Sequence, residues 1–353
     1  MNNVPSRRDV LKVLAGASAG FALGACRRRV TAGSEPVVLY TSADAFLVQQ
    51  VTAAFTTLSG VEVRAVTDSE ATKTTGLVGR LMAERSSPRA EVWWSSEVMG
   101  TVGLARAGLM TPSAPASLAE FSGSWPGGLC DSQGLWWGFG QRARAVVYST
   151  SRIKDRDIPS SLEALAAFTP SGRVGIAQPQ FGTTRTHMAW VVSLLGDEKA
   201  RGLFRRLRDN CRLYPGNSAV VRAVAQGECD VGLTDTDDVW AGLSNGWALG
   251  HSFGVGPADG QALLIPNTVA LLSRGAVRKE ARALVDFLCS VECERLLAMS
   301  ESRNIPIRDD VRAEVGKSVK EVAVPQGAGS VDWTRVGDEL ERADRLISEA
   351  FPV

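Results

Sequence analysis

The sequence predicts an α/β protein of two lobes, each a mostly parallel sheet flanked by helices, with a ligand cleft between them. Three observations lead there. Apolar, strand-like runs alternate with helix-period runs through nearly all of residues 36–353. The alternation occurs twice, and a late run, GQALLIPNTVALLS, returns after the second set as a crossing segment would. Acidic and hydroxyl residues gather just past the strand-like runs, where open α/β sheets bind their ligands.

In chain order, PVVLYTSA reads as a buried strand and is followed by an amphipathic helix over 46–58. VEVRAVT is a second strand, TGLVGRLMAERS a second helix and AEVWWSS a third strand, after which TVGLARAGL forms a short helix closed by Gly108. A looser stretch rich in Pro, Ser and Gly covers 111–134, and LWWGFGQRARAVVYST then leaves the first lobe. RVGIAQP, the helical run THMAWVVSLLGDEKARGLFRRLRD, RLYPGNSAVVRAVAQGE and CDVGLTDTDD build the second set. KEARALVDFLCSVECERLLAMS reads as one long helix. Residues 36–140 with 264–310 form the first expected lobe, and 141–263 with 311–353 the second.

The amino terminus reads as an export signal. SRRDVLK supplies basic charge, and the apolar run from Val13 is too short to span a bilayer. Leu23-Gly24-Ala25-Cys26 resembles a bacterial lipobox, which implies cleavage after residue 25 and lipid on Cys26. Arg7 and Arg8 with Leu11 and Lys12 resemble a twin-arginine signal, with Val10 where that pattern prefers phenylalanine. Residues 1–25 are therefore the expected signal peptide and 26–35 a lipid-anchored linker whose Arg27, Arg28 and Arg29 suit anionic headgroups. The location implied is the periplasm or cell envelope.

A net charge of +1, without a basic stripe or interleaved aromatics, excludes nucleic-acid binding as the main task. Only two histidines, His187 and His251, are present, which argues against a histidine-rich zinc site. Past Cys26 come Cys130, Cys211, Cys229, Cys289 and Cys293, an odd set in which at least one thiol stays free. Cys289 and Cys293 lie on one helical run and read as buried thiols, whereas a Cys211–Cys229 disulfide is left open for an oxidising envelope.

TDTDD, residues 234–238, puts three carboxylates into five residues at a strand end. YTSAD brings Ser42 and Asp44 to another strand end, and WWSSE brings Glu97. PQFGTTRT sets Gly182, Thr183 and Thr184 at a helix start, and PGNSAVV does the same with Asn217 and Ser218; free N–H groups there suit an anion. Each also has a plainer reading. Ser42, Thr184 and Asn217 are common helix caps, Glu97 could cap the helix after it, and Asp237 and Asp238 could be an acidic first turn. Arg142 and Arg144 add positive charge near the crossing segment.

Together VVLYTSAD, SGVEV, GLVGRLMAERSSPRAEVWWSSE, ARAGLM, RARAVVYST, GNSAVVRAVAQGECDVGLTDTDD and LIPNTVALL resemble the periplasmic substrate-binding proteins of ABC importers, in their ferric-ion-binding branch. The resemblance spans nearly all of the chain past the signal. It implies a two-lobed periplasmic-binding-protein fold that hands its ligand to an ABC permease and ATPase, with no catalytic cofactor. It implies Fe3+ or another hard cation, held with a synergistic anion. By position it puts Asp44 in place of the family's histidine, Glu97 on its glutamate, and Asp237 and Asp238 on its tyrosine pair. Ser42, Gly182, Thr183, Thr184, Asn217, Ser218 and Arg144 fall to the anion. The chain departs from the pattern, since Tyr40, Tyr148 and Tyr214 are its only tyrosines and none belongs to a pair.

An all-oxygen carboxylate shell suits Fe3+, Mn2+, Ca2+ or Mg2+. The same groups would also accept sugar hydroxyls or an ammonium while the helix starts hold phosphate, so a sugar phosphate or phosphonate is the alternative cargo. A metal-dependent phosphoesterase built on Asp237, Asp238 and Glu97 is the alternative of another class, and presentation of a ligand to a sensor is a third.

Overall fold

The structure, a computed structural model, describes residues 35–68, 73–121, 124–258 and 260–352. The signal and lipidation expectations, Cys26 included, lie outside the described residues. Among the described residues no helix is long and apolar enough to cross a membrane.

Ten strands join in the order β2-β1-β3-β10-β5-β8-β6-β7, with β4 beside β10 and β9 beside β5. In the first lobe β1 (Val37–Thr41), β2 (Val63–Thr67) and β3 (Val92–Ser95) run parallel. In the second, β6 (Val174–Ala177), β7 (Cys211–Tyr214) and β8 (Val231–Asp235) do the same. These parallel strands are joined by antiparallel ones: β5 (Trp137–Ser149) and β10 (Leu264–Leu272) pair antiparallel with everything they touch. β4 (Met110–Thr111) and β9 (Leu249–Ser252) are antiparallel too, so each lobe is a mixed sheet. The reason is topological. A strand that enters one lobe from the other arrives at the sheet from the opposite end, and so cannot share its direction.

β5 is the physical link between lobes. Its residues 137–143 pair with β10, and its residues 144–148 pair with β8. β1 is apolar and wholly buried, the pattern of a strand covered on both faces. Adjacent β3 residues point to opposite faces, so Trp93 enters one hydrophobic cluster and Trp94 the other. Each indole N–H is matched, to Thr101 Oγ1 at 2.8 Å and to Asn267 Oδ1 at 3.2 Å. Helix Ala45–Ser59 buries Leu47, Val48, Val51 and Phe55 on one stripe, each contributing roughly 1.5–3 kcal/mol.

Two long helical runs are broken. Gly196, at φ 72°, separates helix Gly182–Leu195 from helix Asp197–Asn210, because the left-handed region suits glycine and stops the ladder. Ser290 separates helix Lys279–Leu288 from helix Val291–Met299, its hydroxyl accepting from the Cys293 N–H at 3.2 Å.

The carboxy-terminal segment visits both lobes. Helix Asp309–Val315 packs on Val291–Met299 of the first lobe, although the sequence reading put everything from 311 onward in the second. Helix Trp333–Asp338 touches both Met99–Arg106 and Gly182–Leu195, and helix Leu340–Ala350 rests on Gly182–Leu195 and Asp197–Asn210. Apolar residues are spaced to cover whichever helix lies beneath them, and nothing local in the sequence says which that is.

All five cysteines past Cys26 are free thiols, so the Cys211–Cys229 disulfide is not formed. Burial pushes the Cys211 thiol up to about 12, with Cys229 adding to it, which makes it a poor nucleophile at neutral pH.

Candidate ligand-binding cleft

The alternation of β5 begins the site. Arg142 and Arg144 are two apart on one strand and so share a face. In the antiparallel register Arg144 lies opposite Asp235, the last residue of β8, and the chain then turns into helix Thr236–Ser244 carrying Asp237 and Asp238. The pairs follow from that register: Arg144 Nη1 to Asp235 Oδ1 at 2.7 Å, and Arg142 Nη1 to Asp237 Oδ2 at 3.1 Å. Both arginines are buried.

Arg144 is locked. Its Nη1 donates also to Thr183 Oγ1 at 3.2 Å and Asn217 Oδ1 at 3.4 Å, and its Nη2 to Thr184 Oγ1 at 3.4 Å. Asp235 closes the network by accepting from Thr183 at 2.5 Å and Asn217 at 2.8 Å. The network holds two helix starts, Gly182–Leu195 and Asn217–Gln226, side by side, and neither has a side-chain cap. Their first N–H groups border the cleft with no side-chain acceptor, the arrangement that favours an anion.

Lys73, Ser96, Arg142, Gly182, Thr183, Thr184, Asn217, Asp235, Asp237 and Asp238 line a small cleft with a volume of about 30 Å³. Ligand atoms of Asp235, Asp237 and Asp238 lie within 4.8 Å of one another. Burial lifts the Asp237 carboxyl to about 6, against Arg142 and with help from Asp235 and Asp44. Burial also holds Asp238 well above the usual carboxylate range, reinforced by Asp237 and Asp235. Asp44 stands beside this group, 2.7 Å from Lys73 Nζ; burial pushes it up, but Lys73 and Arg142 outweigh that and hold it below its ordinary value. Four carboxylates thus face three resident cations, and crowded, partly neutralised acid at a cleft mouth is chemistry that a bound cation or ammonium would relieve.

Three expected site residues are elsewhere. Glu97 is 2 % exposed and turned into the protein, where its carboxylate accepts from the N–H groups of Met99 at 2.6 Å and Gly100 at 2.8 Å. It is the cap of helix Met99–Arg106, and it also accepts a 2.5 Å hydrogen bond from Thr186 in the second lobe. Ser42 is buried against Ser95 and Ser96 at 3.2 and 3.3 Å, where it ties β1 to β3. Ser218 is exposed and borders nothing in the cleft. Glu97 and Ser42 are taken up by backbone and side-chain partners within 3.3 Å, whereas Ser218 faces solvent. Thr186→Val should cost about 1–3 kcal/mol in urea unfolding, because it removes a donor from a buried carboxylate; an unchanged midpoint would show the bond to be unimportant.

Lys73, Arg142 and Asp235 are the additions. Asp235 was visible inside TDTDD, and its 1:1 register with Arg144 was not. Lys73 lies in TKTT before helix Thr75–Ala83 and carried no sequence signal at all. None of the three tyrosines lines the cleft; Tyr40 donates to Glu84 at 3.1 Å and Tyr214 to Glu228 at 3.1 Å.

Residues 37–299 match the family model described as bacterial extracellular solute-binding protein. The chain belongs to that family. This solute-binding protein is 25 % identical over 334 residues to the major ferric iron-binding protein of Neisseria meningitidis serogroup A, covering 93 % of this chain and 96 % of the relative. It is 27 % identical over 207 residues to an Fe(3+)-binding periplasmic protein of Serratia marcescens, covering 58 % of each. Among solved structures, iron-bound HitA from Pseudomonas aeruginosa superposes with a TM-score of 0.78 at 23 % identity, over 90 % of this chain and 99 % of that one. The ferric binding protein from Campylobacter jejuni gives 0.78 at 19 %, over 89 % and 99 %. The two-lobed fold of the solute-binding protein is therefore shared with these structures, its place is extracytoplasmic, and its role is binding and transport rather than hydrolysis.

Proposed function

We propose that this solute-binding protein closes its lobes on ferric iron, or on another oxygen-liganded cation held together with an anion, and delivers it to an ABC permease and ATPase. The observation that carries the reading is the carboxylate group Asp235, Asp237 and Asp238, packed within 4.8 Å beside two uncapped helix starts. Hard cations take oxygen donors, and the helix starts supply the anion that completes the shell. Relatives named for ferric iron over nearly the whole chain support the choice of cation. Cleavage before Cys26, lipid on its sulfur and export by the twin-arginine route belong to the same proposal, as do the lobe limits with 309–315 moved to the first lobe.

Protein purified without chelator is expected to carry stoichiometric metal by elemental analysis and native mass spectrometry, and EDTA is expected to lower its Tm. A second cargo is favoured by the resident cations: Lys73 and Arg142 line the cleft among the acids, a setting that also suits a sugar phosphate or phosphonate. Absence of metal, no effect of EDTA, and stabilisation by a sugar phosphate would establish that alternative and sink the metal.

Cation uptake is expected to weaken as pH falls through about 6, where Asp237 takes up a proton in the empty protein. The sign for stability is opposite. A carboxyl whose pKa is raised on folding binds its proton more tightly when folded, so this group destabilises the empty protein as pH rises from about 4 towards 6. Titration calorimetry in two buffers of different ionisation enthalpy should detect protons released on binding at pH 5.5, roughly one at most from this group; no buffer dependence would remove Asp237 from the ligand set.

A further inference from the structure

We infer that Arg142 is the resident counter-ion of the empty site and sets the charge of what the site accepts, its guanidinium leaving Asp237 when a cargo cation arrives. The inference rests on the cation reading of the cleft and adds the residue that tunes it. Each acid makes a salt bridge except one: Asp44 has Lys73 at 2.7 Å, Asp235 has Arg144 at 2.7 Å, and Asp237 has Arg142 at 3.1 Å. Asp238 makes no salt bridge among the described residues, and Lys73 is the nearby cation that favours its charge.

The two arginines are held very differently. Arg144 spends its guanidinium on Asp235, Thr183, Thr184 and Asn217 and lies beneath the helix starts. Nε lacks a partner in both arginines, but Arg142, 2 % exposed and bordering the cleft, has beyond Asp237 only a 3.5 Å contact from its Nη2 to Asn267. Asn267 is itself committed elsewhere, donating to Gly140 O at 2.5 Å and Asn304 Oδ1 at 2.7 Å. A buried guanidinium with an unmatched N–H and one firm partner is costly to keep, and so its pair with Asp237 is the exchangeable one. When a cation reaches Asp237 and Asp238, Coulomb repulsion acts on Arg142, 3.1 Å from Asp237, and it grows in proportion to the charge of the ion. Arg142 therefore disfavours a trivalent ion more than a divalent one unless an anion enters with it.

The test uses Ga3+ and Mn2+ as probes, by calorimetry on the full chain with carbonate excluded. Arg142→Gln is expected to tighten Ga3+ binding at least about tenfold and Mn2+ by clearly less, with Arg142→Lys close to the parent protein. A Ga3+ affinity that is unchanged or weaker in folded Arg142→Gln overturns the inference. A second measurement needs no variant: in 15N-arginine-labelled parent protein the Arg142 side-chain resonances, assigned through Arg142→Lys, should move on Ga3+ saturation while those of Arg144 stay. Fixed Arg142 resonances with Ga3+ bound overturn it equally. Failure of both proteins to bind either ion overturns the cation reading itself, an outcome distinct from equal binding by both.

Discussion

Asp238→Asn should raise the Tm of the ligand-free protein by a few degrees and, in the same molecule, weaken Ga3+ or Fe3+ binding by about 2–5 kcal/mol. The opposition of signs is the point. Asp238 is the one acid of the cleft without a salt bridge, and burial with Asp237 and Asp235 beside it outweighs the pull of Lys73 and makes its charge unfavourable. Asparagine keeps the shape and removes the charge, so the empty protein is relieved of repulsion. A bound cation loses a charged oxygen donor, which no neighbour replaces. A residue that merely caps helix Thr236–Ser244 would lose stability on the same change, since a negative charge in a first turn is favourable. Thermal melts with and without metal, alongside Asp209→Asn at a position 73 % exposed, separate the two. A lower Tm with unchanged affinity would return Asp238 to the role of a helix-start acid.

Arg144→Met is the second large effect, and it is one of folding. Asp235 would be left buried with its charge uncompensated, at a cost of about 3–5 kcal/mol. Thr183, Thr184 and Asn217 would each lose a donor in the same step. The double variant Arg144→Met with Asp235→Leu should recover much of the urea midpoint while leaving binding impaired, because the helix starts are no longer held side by side. Equal stability of the single variant and the parent would mean that the pair is not a structural anchor. The contrast with Arg142, two residues away on the same face of β5, is instructive. Both are buried, but one lies beneath the helix starts and the other borders the cleft.

Much of this was legible along the chain. The run VVLYT reads as a strand covered on both faces, and Gly108 after its helical run marked a real end. TDTDD was legible as a cluster of crowded acid because three carboxylates at a strand end have no local partner able to neutralise them. The same logic failed for Glu97. Its position after β3 is also the N-terminus of a helix, and the backbone N–H groups of Met99 and Gly100 are nearer than any ligand. Ser42 failed in the same way. Short polar side chains at strand ends are recruited by adjacent strands, and sequence alone does not say how close those strands lie.

Residue type and spacing determined the alternation of strands and helices, the return of β10, the two unprotected helix starts and the gathering of acid at residues 235–238, since each depends on neighbours within a turn or a strand. Which acids are neutralised was decided only by tertiary structure. Arg144 meets Asp235 across 91 residues, Lys73 meets Asp44 across 29, and Thr186 meets Glu97 across 89. Those pairings come from strand register and from the approach of two lobes, and a charge learns whether it has a partner only when the chain has closed.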